Sequence, residues 1–311
     1  MGMKKINFQF SIFIFLIFLL LFPLITRSAS FNFSPQLKNI YLEDIFLVGV
    51  WLDTEGEEIN AVEIIINYPS EKLEVIDFSK GGSILTFWPR EPDLSEKGRI
   101  NFIGGIPGGF DGKGLIGKIV FRAITPDLAE VKFGEDSKVL LNDGLGTLAK
   151  VGRINAEFKL LSEKRQVIEN EWQDELEKDK NPPEPFEIKI GKDSSIFDGK
   201  YFIVFSTVDR ETGIDYYEVK EGEGDWKRTG SPYLLEDQSL KSKIFVKAVD
   251  KAKNERISEI NLIKKSFPYE ALIFGLIFIA LILWIIKKFK VGKCCVILKS
   301  GNKFGEGKNK H

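Results

Sequence analysis

Apolar and polar residues alternate one for one in short runs from Phe31 to about Leu161, and Gly, Pro, Asn and Asp punctuate the runs. A period of two is what a strand with one buried face requires. Short strands separated by turn residues predict a β-sandwich. Phe46, Val48, Val50 and Leu52 fall on one face of a strand, which puts Leu47 and Trp51 on the other face beside Gly49. Val62, Ile64, Ile66 and Tyr68 share one face of a second strand, with Ala61, Glu63, Ile65 and Asn67 opposite. Ile100 with Phe102, then Ile119 with Phe121 and Ala123, repeat the scheme and leave Asn101 and Ile103 facing outward. Val131–Phe133 and Ala156–Leu160 supply further strands, and no long amphipathic helix interrupts the series.

The pattern breaks between Ser162 and Pro185, where Glu, Lys, Asp and Arg dominate and Asn181-Pro182-Pro183-Glu184-Pro185 closes the segment. Residues 162–185 therefore read as a linker, a solvated helix over Glu163–Lys180 followed by an extended proline spacer. Alternation returns from Phe186 in Tyr201–Phe205, Tyr216–Val219 and Ile244–Val249, with turn signals at Asp198-Gly199, Thr212-Gly213 and Ser231-Pro232. Residues 186–264 make a second, smaller sandwich by this reading.

Two apolar blocks stand apart from the strands. The first, Phe8–Ile25, follows Lys4 and Lys5 and precedes Ser28 and Ser30, which is the layout of a secretory signal over residues 1–30; an uncleaved anchor is the alternative. The second, Phe267–Ile286, has about 20 residues, enough for a helix to cross about 30 Å of hydrocarbon. Tyr269 and Trp284 stand near its ends, and Lys287, Lys288, Lys290 and Lys293 follow it. Lysine excess marks the cytoplasmic side, so a single transmembrane helix over 267–286 would leave the sandwiches outside and a basic tail, 287–311, inside. The expected location is a cell membrane, crossed once.

Removing the two ends changes the charge balance. The chain is −1 overall, but the tail holds eight lysines against one glutamate, so residues 31–266 are acidic by about ten charges. That argues against a nucleic-acid partner. Both cysteines, Cys294 and Cys295, lie in the tail, so no disulfide holds the outer domains and their cores must do so alone.

Four stretches of the first domain, in order, resemble the cohesin modules of cellulosomal scaffoldins and related surface proteins. They are Ile59–Val75, Gly81–Trp88, Lys97–Gly105 leading into Gly117–Ala123, and the Asn-Asp-Gly turn within Leu140–Thr147. The resemblance covers most of residues 31–161 and implies a cohesin-like jelly-roll sandwich there; with the second domain and the single membrane helix read above, the expected fold class is all-β apart from that helix. That second domain is similar to Ig-like or fibronectin type III-like modules over Gly213–Trp226 and Ser231–Glu255, although Ile244 stands where a corner tyrosine is expected. For a cohesin the resemblance implies a dockerin-like module as partner and a sheet face that includes Ala61–Tyr68 as the docking surface. Glu63 then takes an acidic contact position, with Ala61, Ile65 and Asn67 beside it.

Catalysis finds no support in the residues. The one histidine is His311, so Ser-His, Cys-His and histidine-ligated metal chemistry are excluded from the outer region. Gly104–Gly114 lacks the Gly-Lys-Ser/Thr ending of a phosphate loop and reads as a mobile connection between strands. Asp111 and Asp143 sit in oxygen-rich turns without EF-hand spacing, so no metal and no cofactor are expected. The expected partner-binding residues are Leu47, Trp51, Ala61, Glu63, Ile65, Asn67, Asn101 and Ile103, outward aliphatics and a tryptophan among polar groups. The runner-up partner is a polysaccharide, for which Trp51, Phe87 and Trp88 are available although no three aromatics lie at platform spacing, and a third role is a non-catalytic stalk.

Overall fold

The computed structural model describes residues 28–163, 165–261 and 273–287. The chain divides into one unit ending at Asn261 and another beginning at Leu262. Twelve strands come first: β1 (Ala29–Ser34), β2 (Leu37–Tyr41), β3 (Ile45–Asp53), β4 (Ile59–Asn67), β5 (Leu73–Ser79), β6 (Phe87–Asp93), β7 (Arg99–Phe110), β8 (Lys113–Ala123), β9 (Asp127–Phe133), β10 (Lys138–Leu141), β11 (Val151–Ile154) and β12 (Ala156–Leu161). They form two sheets, one in the order β11-β1-β3-β8-β5 and the other β2-β12-β9-β4-β7-β6, with β10 paired to β4.

The alternation seen in the sequence becomes the core between these sheets. Along β3 the residues Phe46, Val48, Val50 and Leu52 are buried, and along β4 Ile59, Val62, Ile64 and Ile66 are. Rings from one sheet meet rings from the other: Phe33 stacks on Phe133 at 4.1 Å, Phe46 meets Phe158 at 5.2 Å, and Phe78 meets Phe102 at 5.2 Å. Such pairs add specific geometry to the burial that drives the fold. The two ends of the domain close on each other, because β1 runs parallel to β11 and β2 runs parallel to β12. Strand β1 starts at Ala29, which is fully buried, so the first strand begins inside the expected signal segment.

Gly104–Gly114 is not a mobile connection. Its first seven residues belong to β7 and its last two to β8. Leu85 fills the space a side chain at Gly104 would need, so the glycine run packs instead of looping out.

The charged segment after β12 also departs from the expected solvated helix. Helix α1 covers only Glu171–Lys178, capped by Asn170, whose side chain accepts from the Gln173 amide. It packs on β3. Trp172 is 8% exposed, Glu171 accepts from the Leu47 amide at 2.8 Å and pairs with Lys38, and Glu175 pairs with Lys118 at 2.6 Å. A helix this short has no independent stability, so the tryptophan and the ion pairs fix it. Trp172→Ala is expected to cost about 3 kcal/mol and to free the strap. Limited proteolysis should then cut within residues 162–185 much faster than in the unaltered chain, with the β signal in circular dichroism unchanged.

Seven further strands follow: β13 (Lys189–Asp193), β14 (Ile196–Val204), β15 (Ile214–Glu221), β16 (Lys227–Thr229), β17 (Tyr233–Leu234), β18 (Lys243–Asp250) and β19 (Glu255–Asn261). They form sheets ordered β13-β14-β17 and β16-β15-β18-β19. Phe202, Ile203, Phe205, Val219, Leu235, Val246 and Ala248 are buried, and the Tyr217 ring meets Phe205 at 5.2 Å while its hydroxyl accepts from the Thr207 amide. Ile244, the position where a corner tyrosine was expected, is a buried residue of β18.

The loop between β14 and β15 lies against the first sandwich. Ser79 Oγ donates to the Thr212 carbonyl at 2.7 Å, and the Gly82 amide donates to the Asp209 carbonyl at 3.4 Å. Lys251 Nζ pairs with Asp77 at 2.6 Å. Gly81 is required there, since a Cβ on it would lie 2.0 Å from the Glu211 carbonyl oxygen.

In the second unit, helix α2 covers residues 273–287, and its large apolar side chains are exposed. Among the described residues no helix is long and apolar enough to cross a membrane. Residues 267–272 of the expected span lie outside the described residues, as do 1–27 of the expected signal and 288–311 of the expected tail.

Candidate functional site

The outward positions of β4 and β7 come together on one face, between β10 on one side and β6 on the other. Strand register sets the rows across it. Lys138, Glu63, Ile103 and Arg90 form one row, with Glu63 opposite both Lys138 and Ile103, and Ile103 opposite Arg90. Leu140, Ala61, Gly105 and Phe87 form the next, and Ile65, Asn101 and Asp93 the one on the other side. Asn67 stands at the end of β4, opposite Arg99 and Lys132.

Charge sits in the middle of this face and apolar groups surround it. Glu63 Oε1 is 3.7 Å from Arg90 and Oε2 is 3.5 Å from Lys138, so a single carboxylate is shared by two cations from the flanking strands. These are exposed pairs and contribute little to stability. Phe87 is 59% exposed, and exposed Leu148 bridges to Leu140. Ile65 is half-buried beneath the turn from Gly134 to Ser137, whose Ser137 hydroxyl receives the Ile65 amide. Exposed apolar residues around a three-charge row give a surface from which a partner could exclude water and which presents polar groups in fixed register.

Leu47 and Trp51 are not on this face. They point outward from β3, in the other sheet, opposite Val120 and Leu115 of β8. Helix α1 packs on that strand, Val120 is fully buried although it faces outward, and the Trp51 indole folds over Gly49. The eight expected contact residues therefore divide: Ala61, Glu63, Ile65, Asn67, Asn101 and Ile103 form one surface, and Leu47 and Trp51 lie on another that the strap helix partly covers. Sequence reasoning did not place Arg90, Lys138 and Leu140 on this face, and it named Phe87 only for a sugar, because their strands are short and irregular, with register shifts in both β6 and β10.

The aromatic residues available to a sugar are dispersed, in keeping with the absence of platform spacing in the sequence. Trp51 is in one sheet, and Phe87 and Trp88 are in the other. Trp88 turns inward, its ring 5.6 Å from Phe102 and 6.3 Å from Phe78, with Lys80 over it at 5.4 Å. The turn carboxylates Asp111 and Asp143 are used locally: Asp111 accepts from the Thr54 hydroxyl at 2.7 Å, and Asp143 accepts from the Leu145 amide at 2.8 Å. Thr147 and the Leu145 amide hold the Asp143 carboxyl below the usual range.

No family model matches the chain, and no curated protein does. Among solved structures, the chain is similar to cohesin modules. One is a cohesin from a family 33 glycoside hydrolase of Clostridium perfringens, 13% identical over 44% of this chain and 100% of that one, with a TM-score of 0.38. A second is a non-cellulosomal cohesin from the hyperthermophilic archaeon Archaeoglobus fulgidus, 19% identical over 44% of this chain and 92% of that one, with a TM-score of 0.36. A third is the sixth cohesin of scaffoldin B from Acetivibrio cellulolyticus, solved in complex with a dockerin, 18% identical over 43% of this chain and 99% of that one, with a TM-score of 0.35. These likenesses cover less than half of the chain and assign no ligand to it.

Proposed function

We propose that the first sandwich is a non-catalytic docking module for a dockerin-like protein module, held at a membrane by the apolar segment 267–286. The observation that carries this reading is the outer face of β10, β4, β7 and β6, where Glu63 lies between Arg90 and Lys138 and is bordered by Ala61, Ile103, Leu140 and exposed Phe87. A partner helix laid on such a face gains burial from the aliphatics and orientation from the charged row. The resemblance of Ile59–Val75 and its companion stretches to cohesins supports the identity of the partner. The lysines that follow Ile286 support an inside tail and an outer sandwich pair.

The test is surface plasmon resonance with the full-length chain in detergent micelles, run against a panel of dockerin modules and soluble polysaccharides. Saturable one-to-one binding of at least one dockerin, with none of any polysaccharide, is the expected result. Binding of a polysaccharide that Trp51→Ala removes, with every dockerin silent, would establish sugar recognition in its place.

A further inference from the structure

A cleft of about 810 Å3 opens where the first sandwich meets the second. One wall is β6 and the chain just before it, with Phe87 and Trp88. The other is the chain leaving β14, residues 204–209, together with Tyr216 of β15 and the turn from Thr229 to Pro232. The Ser79 bond to the Thr212 carbonyl and the Lys251–Asp77 pair fix the two walls relative to each other, so the cleft is formed before any ligand arrives. Volumes of this size at a junction between domains are typical of ligand sites.

The charges in the cleft are committed to one another. Lys80 pairs with Glu91 at 2.8 Å, and Asp215 pairs with Arg228 at 3.7 Å and with Lys253 at 2.6 Å. Asp209 accepts the amides of Glu211, Thr212 and Gly213 from its own loop. The ring faces are covered as well. Lys80 lies 5.4 Å over Trp88, and Arg228 lies 4.1 Å over Tyr216 with Lys253 at 5.7 Å. A charged ligand or a stacked sugar would have to displace these partners. What stands open is apolar: Phe87 is 59% exposed, Val204 42% and Val208 36%.

Phe87 belongs to both surfaces. It ends the docking row of Leu140, Ala61 and Gly105, and it also lines the cleft. A chain leaving a module seated on β4 and β7 therefore crosses β6 into the cleft. We propose that the cleft holds an uncharged, apolar peptide segment that flanks the docked module in its own chain. This rests on the docking role proposed above, and it makes the second sandwich part of the recognition surface. A tethered segment is present at high effective concentration, so apolar contacts without an ion pair suffice to hold it. Strand β6 carries Pro89 and Pro92, which lack amide hydrogens, so the segment is held by its side chains and not as an added strand.

The tightest-binding dockerin of the panel is measured against the full-length chain in detergent micelles, with and without the residues that flank it in its own protein. By surface plasmon resonance the flanked form should bind at least tenfold tighter than the trimmed module. Val208→Asn and Gly230→Trp should each bring the flanked form to within twofold of the trimmed module, whose own affinity they leave unchanged. Both positions are exposed, and a Cβ on Gly230 meets nothing within 4 Å, so the unfolding temperature should not move. A flanked form no tighter than the trimmed module, or a gain that survives both substitutions, would overturn the cleft assignment and leave docking on β4 and β7 standing. Silence of every dockerin would overturn both. A neutral oligosaccharide that binds the unaltered chain but not the Gly230→Trp variant would give the cleft to a sugar and overturn the assignment to a peptide.

Discussion

Ile103→Asp is expected to weaken docking at least 100-fold, about 2.7 kcal/mol, while leaving the fold in place. Ile103 stands in the middle of the proposed surface, between Glu63 on β4 and Arg90 on β6. The substitution removes an apolar anchor at the point where water exclusion matters most. It also sets a second carboxylate directly opposite Glu63, where like charges repel. The side chain is only half-buried and faces away from the core, so the denaturant midpoint should move little. Trp51→Ala is the matching control. It lies on the opposite sheet, and docking should stay within twofold of the unaltered chain. Surface plasmon resonance against the same dockerin measures both.

Gly81→Ala is expected to cost about 3 kcal/mol and to uncouple the two sandwiches. The added Cβ would lie 2.0 Å from the Glu211 carbonyl oxygen, 2.5 Å from its carbon and 2.9 Å from the Thr212 nitrogen. All three are backbone atoms, so no side-chain rotation relieves the clash, and the loop must withdraw. Withdrawal stretches the Ser79 hydroxyl bond to the Thr212 carbonyl and the Gly82 amide bond to the Asp209 carbonyl. Denaturant unfolding followed by tryptophan fluorescence should show a lower midpoint and a transition that separates into two. Gly230→Ala, with nothing within 4 Å of its added Cβ, should leave the curve unchanged.

Much of the first sandwich could be read from the chain, and the reason is specific. Phe46, Val48, Val50 and Leu52, or Val62, Ile64 and Ile66, alternate so regularly that only a strand with one buried face accommodates them, and all seven are buried. Alternation decides in from out but not which sheet a strand joins. For that reason Leu47 and Trp51 could be assigned an outward face without revealing that Ala61 and Glu63 look the opposite way. The docking of the strap escaped because its helix is charged at five of eight positions, and a single buried tryptophan, Trp172, carries it. The glycines of β7 suggested a loop because their packing partner, Leu85, lies outside the run.

Hydrogen–deuterium exchange on the full-length chain, with and without a saturating dockerin, tests the docking surface most directly. Protection confined to β4, β7 and the neighbouring β6 and β10, with β3 and the strap helix unchanged, is the predicted footprint. Protection centred on β3 around Leu47 and Trp51, with Ala61–Asn67 exchanging as before, would place recognition on the other sheet and contradict it.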